Sequence, residues 1–253
     1  LILGFALSMI ISGILFLKNS VINHDSHRQV IAKVDGKKIY RVEFERELYH
    51  LKNNMSALNS QKKQQLAQMG VATDTMQELP ENILKEYIFQ TMIDREVLLA
   101  GAKKLKIKAD ESVINKAIEN AQKQAGGKAN LIQALTQSGY NLTTYKEVLR
   151  EQEVAKKVQE KVLASSKVSE EEVKKMYERL RYSSLSGRTF EESKKEIEDS
   201  LNGEVADALI NSFIEKEKAK AKIEIVSPEF KKLYEDSNKV VIEKDGYKYT
   251  NAS

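Results

Sequence analysis

Residues 30–48, VIAKVDGKKIYRVEFEREL, constrain the fold more than any other stretch, because they read as strand, turn, strand and then an immediate helix. Val30, Ala32 and Val34 alternate with Ile31 and Lys33, the period of a strand. Asp35-Gly36 is a two-residue turn signal, since glycine takes positive φ without steric cost. Ile39 and Tyr40 continue the extended run. Phe44, Leu48, Leu51, Met55 and Leu58 then recur at helical spacing, predicting a helix over 42–58. A lone hairpin is marginal in water and needs a third strand or a helix against it. The candidate third strand lies far along the chain, at the alternating residues 222–226, KIEIV. Their pairing would make Val34, Asp35, Gly36 and Ile39 one half of a clasp and Ile223 and Ile225 the other. Everything between the halves would then be one closed module.

The intervening sequence favours helix. Two prolines and 11 glycines in 253 residues leave little punctuation, and 41% of residues are hydrophobic, enough for a core. The expected fold class is mostly α: a multi-helix module closed by a small antiparallel sheet. Lys and Arg number 41 against 37 Asp and Glu, a formal excess of +4, and the two signs are interspersed along helical faces. A nucleic-acid platform would show a basic stripe with stacking aromatics instead. There is no cysteine, which excludes disulfides, thiol catalysis, thiolate metal sites and a lipidated cysteine.

Residues 1–17, LILGFALSMIISGILFL, are apolar apart from Ser8 and Ser12 and end at Lys18. A membrane span needs about 17–25 such residues, so this run is expected to be a transmembrane signal anchor at the short limit. A cleaved signal peptide and a buried helix are the rivals. No Ala-x-Ala site follows at 18–23, where cleavage would require small residues. Residues 18–29 read as a polar tether. Its His24 and His27 lack a third ligand nearby and are read as solvated. The expected layout is thus anchor at 1–17, tether at 18–29 and module at 30–226, with a helical core over 80–164 and a returning helix and strand over 189–226. A tail at 227–253 holds a short helix with Phe230 and a second hairpin signal at Asp245-Gly246.

Within the module, Met55, Met69 and Met76 lie in or beside a polar excursion. They are read either as gap fillers or as a soft surface for contact with polypeptide clients, because methionine adapts to many shapes. Pro80 suits the first position of a strongly apolar helix running to about residue 105. Asp94-Arg95-Glu96 interrupts that helix and is read as a structural ion-pair group. Asp110 is an expected N-cap, and Gly126-Gly127 an expected C-cap rather than a phosphate loop, since no Gly-Lys-Ser/Thr follows. Capping boxes are expected at Thr144/Glu147, Ser169/Glu172 and Thr189/Glu192. Phe190, Ile197, Leu201, Val205, Leu209 and Phe213 trace the apolar face of a long last helix. No Walker loop, HExxH, Gly-x-Ser-x-Gly or nucleophile–base pair is present, so no catalytic residue, cofactor or metal is assigned. The pattern points to a binding scaffold.

The order of these pieces resembles the periplasmic chaperone module of the SurA, PpiD and PrsA type, the SurA N-terminal domain. The resemblance is carried by residues 31–47, 84–118, 131–162, 167–178 and 190–201, with the strand at 220–225. It implies a foldase or holdase, anchored in the inner membrane and facing the periplasm, that binds unfolded exported or outer-membrane proteins without ATP. It also implies that relatives carry a parvulin prolyl-isomerase domain between the helices like 168–178 and 190–201. Here only 179–188, RLRYSSLSGR, bridge that place, so the chain looks like a relative without the isomerase. An envelope scaffold holding one folded partner, or a degenerate isomerase, are the alternative functions.

Overall fold

The computed structural model describes residues 29–68, 79–164, 168–237, 240–244 and 247–250. The leader at 1–17, most of the tether, Met69, Met76 and the Asp245-Gly246 turn lie outside the described residues. Strands β1 (Val30–Val34) and β2 (Lys37–Tyr40) form the expected hairpin, with Asp35 at φ 47 and Gly36 at φ 84. The distant strand β3 (Ile223–Ile225) joins them in the order β2-β1-β3, antiparallel throughout. Val34 faces Ile223 and Ala32 faces Ile225. Bonds run past both ends of the short ladder. The Asp35 N–H donates to the Lys222 carbonyl at 3.0 Å, and the Lys222 N–H donates to Asp35 Oδ1 at 2.8 Å. At the other end the Val226 N–H donates to the Ile31 carbonyl at 2.9 Å.

The simple alternation read for β1 fails at one residue. Val30 pairs with Tyr40 and Ala32 with Ile39, so Ile31 is an extra residue in the strand. This β-bulge bends the strand and lets consecutive side chains turn inward. Ile31 and Ala32 are both fully buried as a result.

Five helices follow the hairpin: α1 (Arg41–Gln68), α2 (Glu81–Lys104), α3 (Glu111–Gln124), α4 (Lys128–Gln137) and α5 (Leu142–Leu163). Helix α1 continues well beyond Leu58, the expected end. Residues 59–68 are rich in Gln and Lys, good helix formers that need no buried face. Pro80 stands just before α2 rather than in its first position. Asp110 caps α3 by accepting the Ser112 N–H at 2.8 Å. Gly126 and Gly127 end α3 at positive φ, with the Gly127 N–H on Gln122 O at 2.7 Å and the Gly126 N–H on Lys123 O at 3.1 Å. These two bonds define a Schellman C-cap. Helix α5 does not start at the expected Thr144 box. Asn141, an equally good cap three residues earlier, accepts the Thr144 N–H at 2.9 Å and so opens the helix sooner.

Helices α6 (Glu170–Leu180) and α7 (Phe190–Lys218) both carry the expected capping boxes, at Ser169/Glu172 and Thr189/Glu192. After β3 comes α8 (Pro228–Ser237). Strands β4 (Val240–Lys244) and β5 (Tyr247–Thr250) form a separate antiparallel pair.

Three cores result. The main one gathers the sheet with α1, α2, the second half of α5, the second half of α7 and α8. A second lies between α3, α4 and the start of α5, around Ile114, Leu135 and Tyr145. A third joins α6 to the start of α7 through Val173, Leu185 and Ile197. The core face of α7 is offset from the expected one. Ala206, Ile210 and Ile214 are buried, whereas Val205 and Leu209 sit at the edge. The main core also continues past Val226, where the expected module stops. Phe230 of α8 is fully buried, with ring centroids 4.7 Å from Phe44 and 4.8 Å from Phe89. Among the described residues no helix is long and apolar enough to cross a membrane.

Two glycines give opposite expectations. A Cβ on Gly203 of α7 meets nothing within 4 Å, so Gly203→Ala is expected to stabilise by about 1 kcal/mol. A Cβ on Gly101 of α2 would sit 2.7 Å from Phe213 Cζ and 2.9 Å from Glu217 Cγ. Gly101→Val is expected to destabilise by about 1–3 kcal/mol through overpacking. Urea unfolding of both variants checks the pair.

The clasp gives a second expectation. Phe230→Ala should cost about 3–5 kcal/mol as a large-to-small core change, and Ile223→Asp about 2–3 kcal/mol by placing a charge opposite buried Val34. Both should shift one cooperative transition. A wild-type midpoint for Ile223→Asp would show that β3 does not hold the module.

Candidate client-contacting surface

Helices α1 and α2 are joined midway by Lys52 of α1, whose Nζ lies 2.8 Å from Glu81 in the first turn of α2. Lys85 adds a second contact to Glu81 at 3.0 Å. Hydrogen bonds from Lys52, then from Lys85, pull the Glu81 carboxyl down to about 2. Beneath this pair Leu51 and Leu84 are buried in the main core, and Met55 packs half-buried against the same cluster. One turn further out the support ends. Leu58 is 49% exposed, Leu79 52% and Ile83 37%, and residues 60–64 of α1 are exposed throughout. The outer half of α1 thus projects beyond the core, with an apolar rim at its base.

Of the three methionines read as a soft surface, Met55 serves as packing at the inner edge of this rim, and the other two lie outside the described residues. Leu58 and Ile83 follow the helical pattern and read as core from sequence. Among the described residues no further helix packs against α1 and α2 at that depth. The only sequence signal for this was the polar stretch after Leu58.

Further along the same helices lies a charge cluster. Arg95 of α2 reaches Glu47 of α1 at 3.0 Å and Glu151 of α5 at 3.8 Å. Asp94 meets Lys218 of α7 at 3.1 Å. Asp94-Arg95 therefore tie α2 to three other helices, the structural role read from sequence. Burial lowers the Arg95 pKa, but the charges of Glu47, Glu151 and Glu96 outweigh it and the guanidinium is held more firmly charged. Glu96 is only 7% exposed. Burial pushes its carboxyl up, and Arg95 opposes the shift only in part. Burial likewise raises Glu151.

His50 of α1 stacks on Tyr140 at 5.8 Å, with Nε2 3.2 Å from the Ser138 carbonyl, and burial lowers its pKa. It joins α1 to the α4–α5 turn and faces no nucleophile. Among the described residues no three His, Asp or Glu side chains are placed to hold one metal ion.

The structure is thus a helical frame closed on itself by a three-stranded sheet, with an apolar rim beside an ion-paired interior. A family profile described as SurA-like N-terminal domain matches residues 1–159, and the chain belongs to that family. The foldase protein PrsA from two strains of Clostridium perfringens is 29% identical over 156 residues in each case. That stretch is 60% of this chain and 42% of the relative, so the match spans under half the length of those relatives.

Glu96 supplies a pH expectation. A carboxyl raised in the folded state holds its proton more tightly there, so its ionisation opposes folding as pH rises through the folded value. Glu96→Gln should therefore unfold at higher urea than wild type at pH 7, and the difference should close as pH falls into the carboxylate range. An unchanged difference between neutral and acid urea melts would show that Glu96 is not held uncomfortably charged.

Proposed function

We propose that the chain is a membrane-anchored, ATP-independent holdase or foldase that binds unfolded exported or outer-membrane proteins on the periplasmic side of the inner membrane. Family membership and the relative named as a foldase support the chaperone class. The apolar leader at 1–17 supports the anchor. The rim of Leu58, Leu79 and Ile83 carries the client-binding reading, because exposed apolar side chains at the base of a projecting helix offer unfolded segments a place to bury their own. No chemistry is needed for that role: clients are shielded from one another until released. A residual isomerase activity has no place in the reading. Helix α6 ends at Leu180 and α7 begins at Phe190, and the joint is too short for a domain, which needs on the order of a hundred residues.

Aggregation of a denatured client tests the proposal. The full chain at a few-fold molar excess is expected to suppress light scattering, and Leu58→Asp with Ile83→Asp to weaken that suppression several-fold without lowering the unfolding midpoint. Full suppression by the double variant would remove the rim from the reading. Recovery of one stoichiometric folded partner, with no effect on scattering, would favour a scaffold instead.

A further inference from the structure

We infer that the end of the module formed by the β1–β2 turn and the last turns of α2 and α7 is a docking surface for anionic lipid headgroups, a reading that rests on the proposed membrane anchor. Three segments meet there. Asp35 in the β1–β2 turn bonds to Lys222 in both directions, and Lys104 at the end of α2 lies 3.0 Å from Glu217 of α7 and 4.0 Å from Asp35.

The local acids are already engaged. Glu217 is shared by Lys104 and Lys220, whose hydrogen bonds hold its carboxyl below the usual range. Lys38, Lys103, Lys106, Lys108, Lys216 and Lys222 are all exposed, and none lies within ion-pair distance of a carboxylate among the described residues. These six exposed lysines flank the β1–β2 turn and the ends of α2 and α7, where the nearby Asp35 and Glu217 are already bonded to Lys222, Lys104 and Lys220. Leu105 stands among them, 41% exposed at the end of α2. Basic side chains around an apolar tip suit the headgroup layer of an acidic membrane.

Lys106 is held at this end by the cap of α2. It ends α2 in the left-handed region at φ 56, where glycine is the favoured residue. Its N–H donates to Lys103 O at 3.0 Å and the Ile107 N–H to Ala102 O at 2.9 Å, the two bonds of a Schellman cap. The cap turns Ile107 back onto the main core and leaves the Lys106 side chain exposed at the end of α2. The geometry also permits docking beside an anchor. Residues 18–29 reach at most about 40 Å when extended, and β1 covers about 16 Å from Val30 to the turn.

The absence of cysteine allows a single reporter. The full chain carrying Leu105→Cys, labelled with an environment-sensitive dye, is mixed with vesicles of phosphatidylcholine alone or with about one-third phosphatidylglycerol. Flotation reads anchoring, and the dye reads docking. The expected result is flotation with both vesicles but a blue shift only with the anionic ones, reversed at about 1 M salt, where the screening length is about 3 Å. A dye on Tyr182→Cys, beyond the opposite end of α7, should not shift. Lys103→Glu, Lys106→Glu and Lys108→Glu should each lower docking about five-fold; the salt arm on the wild-type lysines stands even if a combined variant folds poorly. Flotation with anionic vesicles alone, with the Leu105 shift, supports the surface while removing the anchor. The surface is overturned by equal dye signals in both vesicles, by an equal shift at Tyr182, or by flotation with neither. A shift elicited by duplex DNA and not by vesicles assigns the lysines to nucleic acid and overturns it too.

Discussion

The pairing of β1 with β3 is the interaction on which the rest of the structure depends. The hairpin alone buries too little to stand in water, and β1 needs partners on both edges. β3 supplies the second edge from almost the far end of the described chain. Loop-closure entropy opposes that pairing, but it grows only with the logarithm of loop length. The return is a floor for the main core: Ile31, Ala32, Val34 and Ile39 are buried against helices, and Phe230 follows β3 into the space between Phe44 and Phe89. Strand and aromatic plug arrive together because Ser227 and Pro228 turn the chain directly from β3 into α8.

The polar interior follows from the same closure. Bringing α1, α2, α5 and α7 together around one floor places Glu47, Arg95, Glu151 and Asp94 where their helices cross. Such pairs rarely add net stability, since desolvation offsets most of the attraction. Their effect is to fix which helix faces which, because an Arg95 without Glu47 and Glu151 would be left buried and unpaired. Glu96 and Glu151, both raised by burial, are the members of the cluster whose ionisation works against folding.

Much of this was legible in the sequence because the signals were local or strictly periodic. Asp35-Gly36, Asp110, Gly126-Gly127 and the boxes at 169 and 189 each fix a turn or helix end through one or two hydrogen bonds, and all appear as read. The clasp was legible because alternation at 222–226 had no local partner. What was missed depends on neighbours that no local pattern encodes. The bulge at Ile31 exists because the strand must bend under two buried side chains. The offset face of α7 buries Ala206, Ile210 and Ile214, one position along from the apolar stripe Val205, Leu209 and Phe213. Phe230 reads as tail until Phe44 of α1 and Phe89 of α2 are seen around it. The exposure of Leu58 and Ile83 reflects the lack of a facing helix among the described residues, which a helical period cannot show.

The two smaller cores are carried by continuous helices rather than by linkers. Helix α5 places Tyr145 and Leu149 in the second core and Val158 in the main one. Helix α7 places Ile197 in the third core and Ile210 in the main one. A helix crossing between cores transmits their relative orientation, so the satellites are held at set positions around the main body. Gly203 falls where α7 has left the third core and not yet entered the main one, with open space around it. Glycine there lowers helix stability through its backbone entropy, with no close contact that requires it.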